Sequence, residues 1–324
     1  RCHPKIINFC NQRFYGGRLL IMTEDHGEPD VITAWRTAPG HHARGAFNPR
    51  EIETIRREML PSLPCEPAEI GIISPYNEQV NALHRELGGG IDVATVHKFQ
   101  GREKEAIILS TVDDQITAFT DDPNLLNVAV SRAKRQFTLV TSSNEQPDSR
   151  NIADLLAYID YNGGKITESA IHSVFDLLYE PYAEARREFL KRHRRISEFD
   201  SENLTYALLE RVLEADPAFR HLGVLCHQPL RQLIRDWTIL DDEERRYALN
   251  GATHLDFLIY NRVSKRPVLA IETDGYQFHK QGTRQSERDR MKDRILDRYS
   301  LPLLRLSTTG TDEEAKIHTL LKRN

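Results

Sequence analysis

The sequence predicts an α/β protein with two separate units, and two observations support this prediction. Residues 69–142 alternate short apolar runs rich in Ile, Val and Thr with helical patterns, as in a parallel sheet whose strands are buried on both faces. The last third instead follows the order helix, two strands around a turn, helix and strand. That order is typical of a second, smaller α/β unit with a mixed sheet, and we place its start near residue 197.

The elements of the first unit follow from apolar runs and from helical spacing. NEQVNALHREL (77–87) places its apolar residues on one helix face and is followed by three glycines that end the helix. LLNVAVSRAKR (125–135) predicts a second helix after Asp-Asp-Pro. In such sheets, ligands bind at the carboxyl ends of the strands. The predicted strands are 69–75, 91–96, 106–112 and 137–142.

A helical connector is predicted over 150–196, where the strand signal stops. It ends in a basic run, EARREFLKRHRR (184–195), which has six Arg or Lys and two Glu, a net charge of +4. A solvated helix face and an arm that touches a nucleic-acid backbone both fit this run. On the second interpretation, Arg194 and Arg195 are the candidate contacts.

The second unit begins with a predicted helix over 201–213, for which Ser201 is the expected N-cap. HLDFLIY (254–260) and VLAIETD (268–274) predict two strands that flank a turn. The remaining predicted elements are a charged helix over 283–299 and a strand over 301–307.

Composition limits the possible classes of protein. Of 324 residues, 39% are apolar and 28% are charged, and 44 Lys and Arg against 48 Asp and Glu give a formal charge of −4. This balance excludes a uniformly basic, histone-like coat but allows local nucleic-acid contacts. We expect a cytoplasmic protein without a membrane partner, because the sequence has no run of 18 apolar residues and no signal-peptide pattern.

The four cysteines show no CxxC spacing, so we expect reduced thiols and no disulfide framework. Cys2 and Cys10 together with His3 are conceivable metal ligands, but their spacing matches no metal motif.

The most specific stretch of the chain is VATVHKFQGREKEAIILSTV (93–112). A buried strand leads to a turn that contains Gly101, a residue that permits backbone angles other residues avoid. A second buried strand follows. The residues of interest in this stretch are Thr95, His97, Gln100, Gly101 and Glu103.

Four segments resemble the motifs of Upf-like superfamily-one helicases, in the order of that family. The 93–112 stretch resembles motif V, and Ser131-Arg132 in LLNVAVSRAKRQFTLV resembles motif VI. ISPYNEQ (73–79) resembles motif IVa, and RCHPKIINFCNQRFYGG (1–17) resembles motif IV. The resemblance implies that residues 1–149 form a second RecA-like domain.

In that family, the arginines of motifs IV and VI reach the nucleotide γ-phosphate, where a fixed guanidinium charge favours phosphoryl transfer. The resemblance assigns these roles to Arg1 and Arg132, although a surface ion pair is an alternative for Arg132. Thr95 and His97 match positions that face the nucleic-acid backbone. The positions on the nucleotide side of motif V are Gln100, Gly101 and Glu103.

The sequence has no GxxxxGK[ST] phosphate loop and no DExx-like metal motif. We therefore expect that this chain alone does not hydrolyse ATP, and that it binds ATP only together with a first motor domain. Because the chain also begins without Met, we expect it to be the C-terminal part of a longer protein.

The two predicted strands of the last unit each carry an acid among apolar residues, Asp256 and Glu272. If Tyr260 pairs with Val268 across the turn, the antiparallel register sets these two acids opposite each other. Facing carboxylates repel, and a divalent cation such as Mg²⁺ or Mn²⁺ removes that cost and can activate water beside a phosphodiester. A solvated acidic face is the alternative interpretation.

Residues 200–320, with LDF, VLAIETDGYQFH, RDRMKD and LPLLRL, resemble nuclease domains of the PD-(D/E)xK superfamily, in the branch similar to very-short-patch repair endonucleases. The resemblance implies a restriction-endonuclease-like fold that cleaves DNA with Mg²⁺ held by Asp256 and Glu272. It also implies a supporting acid on the preceding helix, either Glu202 or Glu210. The matching residues of the family's acidic-glycine-histidine stretch are Asp274, Gln277 and His279.

The sequence departs from this family at the lysine of ExK, where Asp274 stands. A cation from elsewhere can take that role, and Lys292 on the following helix is our candidate, with Lys280 and Arg288 behind it. His279 is either a structural surface histidine or a general acid or base near the phosphate.

We therefore hypothesise a fragment of a helicase–nuclease that acts on DNA. Two alternatives stay open. In the first, the last unit is a non-catalytic nuclease fold that binds DNA and targets a helicase. In the second, the motor tracks RNA, because helicase contacts are mainly to phosphates.

Overall fold

The computed structural model describes residues 2–179, 182–275 and 284–323. The chain divides into two compact units, Arg1–Ile171 and His172–Asn324. The first contains a six-stranded parallel sheet and the second a separate mixed sheet of four strands, so the predicted α/β class is confirmed. Within these described ranges, every helix is too short or too polar to cross a membrane.

The sheet of the first unit is built from strands β1 Ile32–Thr37, β2 Ile70–Ser74, β3 Asp92–Thr95, β4 Lys104–Ser110, β5 Ala133–Ser142 and β6 Ile166–Glu168. Their order across the sheet is β3-β2-β4-β5-β1-β6. Apolar clusters cover both faces, which explains the continuous Ile, Val and Leu runs. Packing at Gly71 is tight, because a Cβ there would lie 2.6 Å from Phe99 Cζ and 2.7 Å from Ile107 Cδ1.

The helices of this unit are α1 Pro4–Phe14, α2 Pro49–Thr54, α3 Asn77–Leu87, α4 Pro123–Ser131 and α5 Asn151–Tyr161. Helix α3 has the predicted bounds. The prediction that α4 continues to residue 135 is wrong, because Ala133 already pairs with Lys104 and opens β5. Strands β1 and β6 were not predicted. Strand β1 mixes Ile, Ala and Trp with Thr and Arg, which obscures its apolar run. Strand β6 is only three residues long and lies within 150–196, so the prediction of a purely helical connector there is wrong.

The second unit has strands β7 Leu222–Pro229, β8 His254–Asn261, β9 Pro267–Asp274 and β10 Leu303–Ser307, in the order β10-β9-β8-β7. Strand β9 is antiparallel to β8 and parallel to β10. Strand β7 was not predicted. The helices are α6 Ala183–Lys191, α7 Asp200–Ala215, α8 Asp242–Leu249, α9 Arg284–Arg298 and α10 Glu313–Arg323.

Helix α7 begins one residue earlier than predicted. Phe199 occupies the N-cap, so the prediction that Ser201 caps this helix is wrong. The Asn203 side chain accepts hydrogen bonds from the N–H groups of Ile196 and Ser197 and donates to Phe199 O. These bonds fix the approach of the chain to the helix without a serine cap.

Strands β8 and β9 form the predicted hairpin. Residues beside the two acids pair in the register that sets Asp256 opposite Glu272, as expected. The pairing that we used to derive this register is wrong, because an irregularity near the turn pairs Tyr260 with Pro267 rather than with Val268.

Candidate functional site

Two residues of the predicted nucleotide group come together in the first unit. Glu103 directly precedes β4, and Arg132 directly follows α4. Both line one cavity of about 410 Å³, together with Cys2. The Arg132 guanidinium is held by its own helix, since Nη2 donates to Ser131 Oγ at 2.9 Å and Nε donates to Val128 O at 3.3 Å. The cavity therefore contains a fixed positive charge beside an acidic side chain.

The loop between β3 and β4 connects opposite edges of the sheet. Thr95 is the buried last residue of β3, at the carboxyl edge, whereas Glu103 lies at the amino end of β4. Gly101 turns the loop with φ +80°, in the region that favours glycine. His97 and Gln100 are exposed on this loop. Thr95, predicted to contact nucleic acid, therefore lies at the carboxyl edge of the sheet. Glu103, predicted to contact the nucleotide, lies at the opposite, amino edge.

His3 takes part in a capping and ion-pair cluster. Its Nδ1 accepts a backbone N–H at the start of α1 at 3.1 Å, so a neutral ring carries its proton on Nε2. Nε2 lies 3.2 Å from Glu28 Oε2 and 3.6 Å from Asp25 Oδ1. These three side chains have possible metal-ligating atoms within 4.8 Å of one another, but the protonated nitrogen donates and does not ligate.

The two nearby cysteines do not join His3 in a ligand group. Burial raises the pKa of the Cys2 and Cys10 thiols to about 12 in the metal-free protein. Among the described residues, the ligand atoms of Cys2, Cys10 and His3 do not all lie within 4.8 Å of one another, so the geometry does not support the metal site that the sequence left conceivable.

The paired acids of the second unit are joined through the backbone of their hairpin. Asp256 Oδ2 accepts a hydrogen bond from Thr273 N at 2.8 Å, and Asp256 N donates to Glu272 Oε1 at 3.3 Å. Both acids line a cavity of about 330 Å³. Other predicted residues that line it are Glu202, Asp274, Arg288 and Lys292. The predicted residues Arg1, Gln277, His279 and Lys280 lie outside the described residues.

Burial determines the electrostatics of this acid pair. Glu272 is only 6% exposed, which excludes a solvated acidic face at this position. Burial raises the pKa of Glu272 to about 7, the Lys292 ammonium opposes this rise, and Asp256 adds to it. Burial likewise raises the pKa of Asp256, the bond from Thr273 N opposes the rise, and Glu202 adds to it. The donor set fits a divalent cation such as Mg²⁺, which prefers carboxylate oxygens.

Lys292 on α9 contacts the acid pair directly. Its Nζ donates to Glu272 Oε2 at 2.5 Å and to His254 O at 2.9 Å. The lysine is 8% exposed, so the contact is buried from water. Helix α9 therefore delivers to Glu272 the ammonium group that Asp274 cannot supply. Arg288, about one helical turn earlier, lines the same cavity.

Asp274 is paired with a residue that the sequence analysis did not select. Arg305 on β10, the strand next to β9, places Nη1 3.3 Å from Asp274 Oδ1. The same guanidinium lies 2.7 Å from an Asp293 oxygen and 3.8 Å from an Asp289 oxygen. The signal for Arg305 was its place in the otherwise apolar LPLLRLS, because a charge in such a strand needs a partner.

Of the two candidate supporting acids, Glu202 is the one at the cavity. Glu210, about two turns later on α7, accepts a hydrogen bond from Tyr206 OH at 2.7 Å instead. Glu202 Oε2 lies 2.9 Å from Nε2 of His227 on β7. His227 was not predicted as a site residue, because strand β7 itself was not predicted.

The basic run lines a different cavity of the second unit, of about 410 Å³, whose wall includes Arg194 and Arg195. Part of its charge is paired locally, since Arg187 and Lys191 each contact a glutamate three residues earlier. The interpretation as a solvated helix face fits these two residues. Arg194 and Arg195 lie beyond the end of α6 and stay candidates for a phosphate backbone.

Two family models match the chain, one in each unit. A family described as "AAA domain" matches residues 35–144, inside the first unit. The first unit is therefore similar to the RecA-like part of helicases. A family described as "Protein of unknown function (DUF2726)" matches residues 199–323, from the start of α7 to the end of α10. That description gives no activity for the second unit.

Curated relatives share the helicase relationship. An uncharacterized ATP-dependent helicase of Methanocaldococcus jannaschii is 39% identical over 171 residues, which cover 44% of this chain and 26% of that protein. One from Caenorhabditis elegans is 32% identical over 162 residues, 43% of this chain and 11% of that protein. The DNA replication ATP-dependent helicase/nuclease DNA2 of Gallus gallus is 31% identical over 159 residues, 43% of this chain and 16% of that protein. The chain thus spans a quarter or less of most of these relatives.

Proposed function

We propose that the chain is part of an ATP-dependent DNA helicase–nuclease of the cytoplasm, and that its second unit cleaves DNA phosphodiesters with Mg²⁺ or Mn²⁺. The observation that carries this proposal is the contact of the buried Glu272 and Lys292 beside the half-buried Asp256 on the wall of one cavity. Desolvation of two neighbouring carboxylates is unfavourable, which a purely structural role does not explain.

Each residue of the cavity has a distinct role in this proposal. Asp256 and Glu272 hold the cation, which when bound supplies an acidified water and a charge at the phosphate. Lys292 favours the ionised form of Glu272 against the effect of burial and places a positive charge beside the cavity. Glu202 on α7 adds a further acid to the cavity wall. Asp274 forms an ion pair with Arg305 and thereby fixes the end of β9 against β10.

The first unit completes a nucleotide site together with a first motor domain. Arg132 and Glu103 already line one cavity, and Arg1, Gln100 and Gly101 belong to the same group by motif. The names of the relatives, ATP-dependent helicases and a helicase/nuclease, support ATP and DNA as ligands. We assign nucleic-acid backbone contacts to Thr95, His97, Arg194 and Arg195.

The test is cleavage and binding of labelled single- and double-stranded DNA by the chain with Mg²⁺ or Mn²⁺. We expect the Asp256→Ala/Glu272→Ala double variant to bind DNA but not to cut it. An Asp242→Ala/Glu243→Ala double variant is the matched control, since both acids are exposed at the start of α8. Cleavage by the first double variant at the wild-type rate would contradict the proposal.

The second candidate function is a DNA-binding module without cleavage. The observation that favours it is Asp274 at the position of the ExK lysine, paired with Arg305. It predicts DNA binding that EDTA does not change and no cleavage with any metal. RNA as the substrate of the motor is tested by comparing how RNA and DNA stimulate the ATPase of a protein that carries both motor domains.

A further inference from the structure

His227 interrupts β7 next to the acid pair. The residues on either side of it pair regularly with β8, which sets His227 across from Asp256. Its φ is +50°, in the left-handed region that is unfavourable for a residue with a Cβ. Such a conformation persists only where the surroundings enforce it, and it occurs often at functional sites.

The unusual backbone places the imidazole in contact with two cavity residues. Its Nε2 lies 2.9 Å from Glu202 Oε2, and its ring packs edge-on against His254 with centroids 5.6 Å apart. Because a carboxylate only accepts, the imidazole is the donor of this hydrogen bond. The ring thus connects α7 to β8 and removes rotational freedom from the Glu202 side chain.

We propose that His227 is a positioning residue that orients the Glu202 carboxylate for binding of the divalent cation. The imidazole engages one carboxylate oxygen, and the other is left for the cavity. Hydrogen-bond partners that hold ligand groups in this way typically strengthen metal binding by 10- to 100-fold. This inference rests on the proposed nuclease function of the same cavity.

The experiment measures Mn²⁺ affinity of the full chain by calorimetry at fixed pH, without DNA. His227→Asn tolerates the left-handed backbone but loses the donor at the Nε2 position. We expect it to weaken Mn²⁺ binding by about 10-fold or more, and His227→Gln, which restores a donor, to recover part of the loss. The matched control His221→Asn, exposed just before β7, leaves the affinity unchanged.

A double-mutant cycle separates positioning from a general structural role. In a Glu202→Gln background, which itself weakens binding, adding His227→Asn has little further effect if His227 acts through Glu202. A loss of the same size in that background, or wild-type affinity of His227→Asn, overturns the inference.

Asp256→Asn distinguishes failure of this inference from failure of the proposed function. If Asp256→Asn weakens Mn²⁺ binding but His227→Asn does not, only the inference fails. If Asp256→Asn binds Mn²⁺ like the wild type, the proposed cation site itself fails. Circular-dichroism melting of each variant verifies that it folds.

Discussion

The two candidate sites are built in different ways. In the first unit, Arg132 and Glu103 lie at the ends of neighbouring strands on short stretches of chain, and Glu103 is exposed. In the second unit, Asp256, Glu272 and Lys292 come from two strands and a helix. Glu272 and Lys292 are buried and Asp256 is half-buried. Both groups of residues were predicted from the sequence, the first through short local motifs and the second through the strand register and a resemblance that spans residues 200–320. The structure adds the contacts within the second group, such as that between Lys292 and Glu272.

The two sites also differ in what determines their electrostatic properties. A guanidinium such as that of Arg132 acts through a planar, fixed positive charge and needs no burial to act. The carboxylates of the second site obtain their properties from burial, which raises the pKa of both Asp256 and Glu272. A substitution in the first site should therefore act by removing one charge. A substitution in the second site should also change the pKa values and hydrogen bonds of the neighbouring residues.

The largest expected effect is at Arg132. In a protein that carries both motor domains, Arg132→Ala should lower the ATPase rate by about 10³-fold, because a guanidinium at the γ-phosphate contributes that much in related phosphoryl transfers. The steady-state ATPase rate is the measurement. Lys134→Ala is the control, since Lys134 lines the same cavity but pairs with Glu105 at 3.1 Å. Equal losses in both variants would remove Arg132 from this role.

The next effect is at Lys292. We expect Lys292→Met to lower the single-turnover rate of DNA cleavage by about 10²-fold, because a positioned cationic group contributes on this scale. Lys322→Met, exposed near the end of α10, should cleave like the wild type. If Arg288→Met abolishes cleavage and Lys292→Met does not, the helix supplies its cation from Arg288 instead.

A smaller effect tests whether the first sheet is as tightly packed as its buried strands indicate. Gly71→Ala should lower the free energy of unfolding by about 1–3 kcal/mol, because the new Cβ overlaps two buried side chains. Chemical denaturation measures this change. Gly89→Ala is the matched control, since no atom lies within 4 Å of its added Cβ. Equal denaturation midpoints for the two variants would show that the sheet accommodates the added Cβ at Gly71 without loss of stability.

A separate, pH-dependent effect on stability concerns a buried acid outside the candidate sites. Glu51 on α2 accepts hydrogen bonds from Ser110 Oγ at 2.5 Å, Thr111 Oγ1 at 3.1 Å and Val112 N at 3.0 Å. Burial nevertheless raises the pKa of Glu51 from 4.5 to about 8. The folded state therefore binds an extra proton between these values, and stability falls as pH rises from about 4.5 to about 8.

Glu51→Gln should remove this contribution, which is at most about 1.4 kcal/mol per pH unit. The measurement is the difference in unfolding free energy between wild type and variant at several pH values. A difference that does not change with pH would contradict the assignment.

Sequence reasoning captured the parts of the molecule that depend on local pattern. Helix α3 has helical apolar spacing, and the central strands are nearly continuous apolar runs. An antiparallel register aligned Asp256 with Glu272, although the pairing assumed at the turn was wrong. Strand β7 was not predicted, and neither was the role of His227 on it. That role depends on contacts with Glu202 and His254, which are distant in sequence. Arg305 is similar, since its partner Asp274 lies on a neighbouring strand far away in sequence.

The central claim is that the Asp256–Glu272 cavity cleaves DNA independently of the nucleotide site. Single-turnover cleavage by the full chain in Mg²⁺ without ATP tests it most directly, with Asp256→Asn compared with Asp242→Asn, an exposed acid on α8. We predict cleavage by the wild type and by Asp242→Asn, a loss of at least about 10²-fold in Asp256→Asn, and none in EDTA. Wild-type cleavage by Asp256→Asn, or cleavage that persists in EDTA, would contradict the claim.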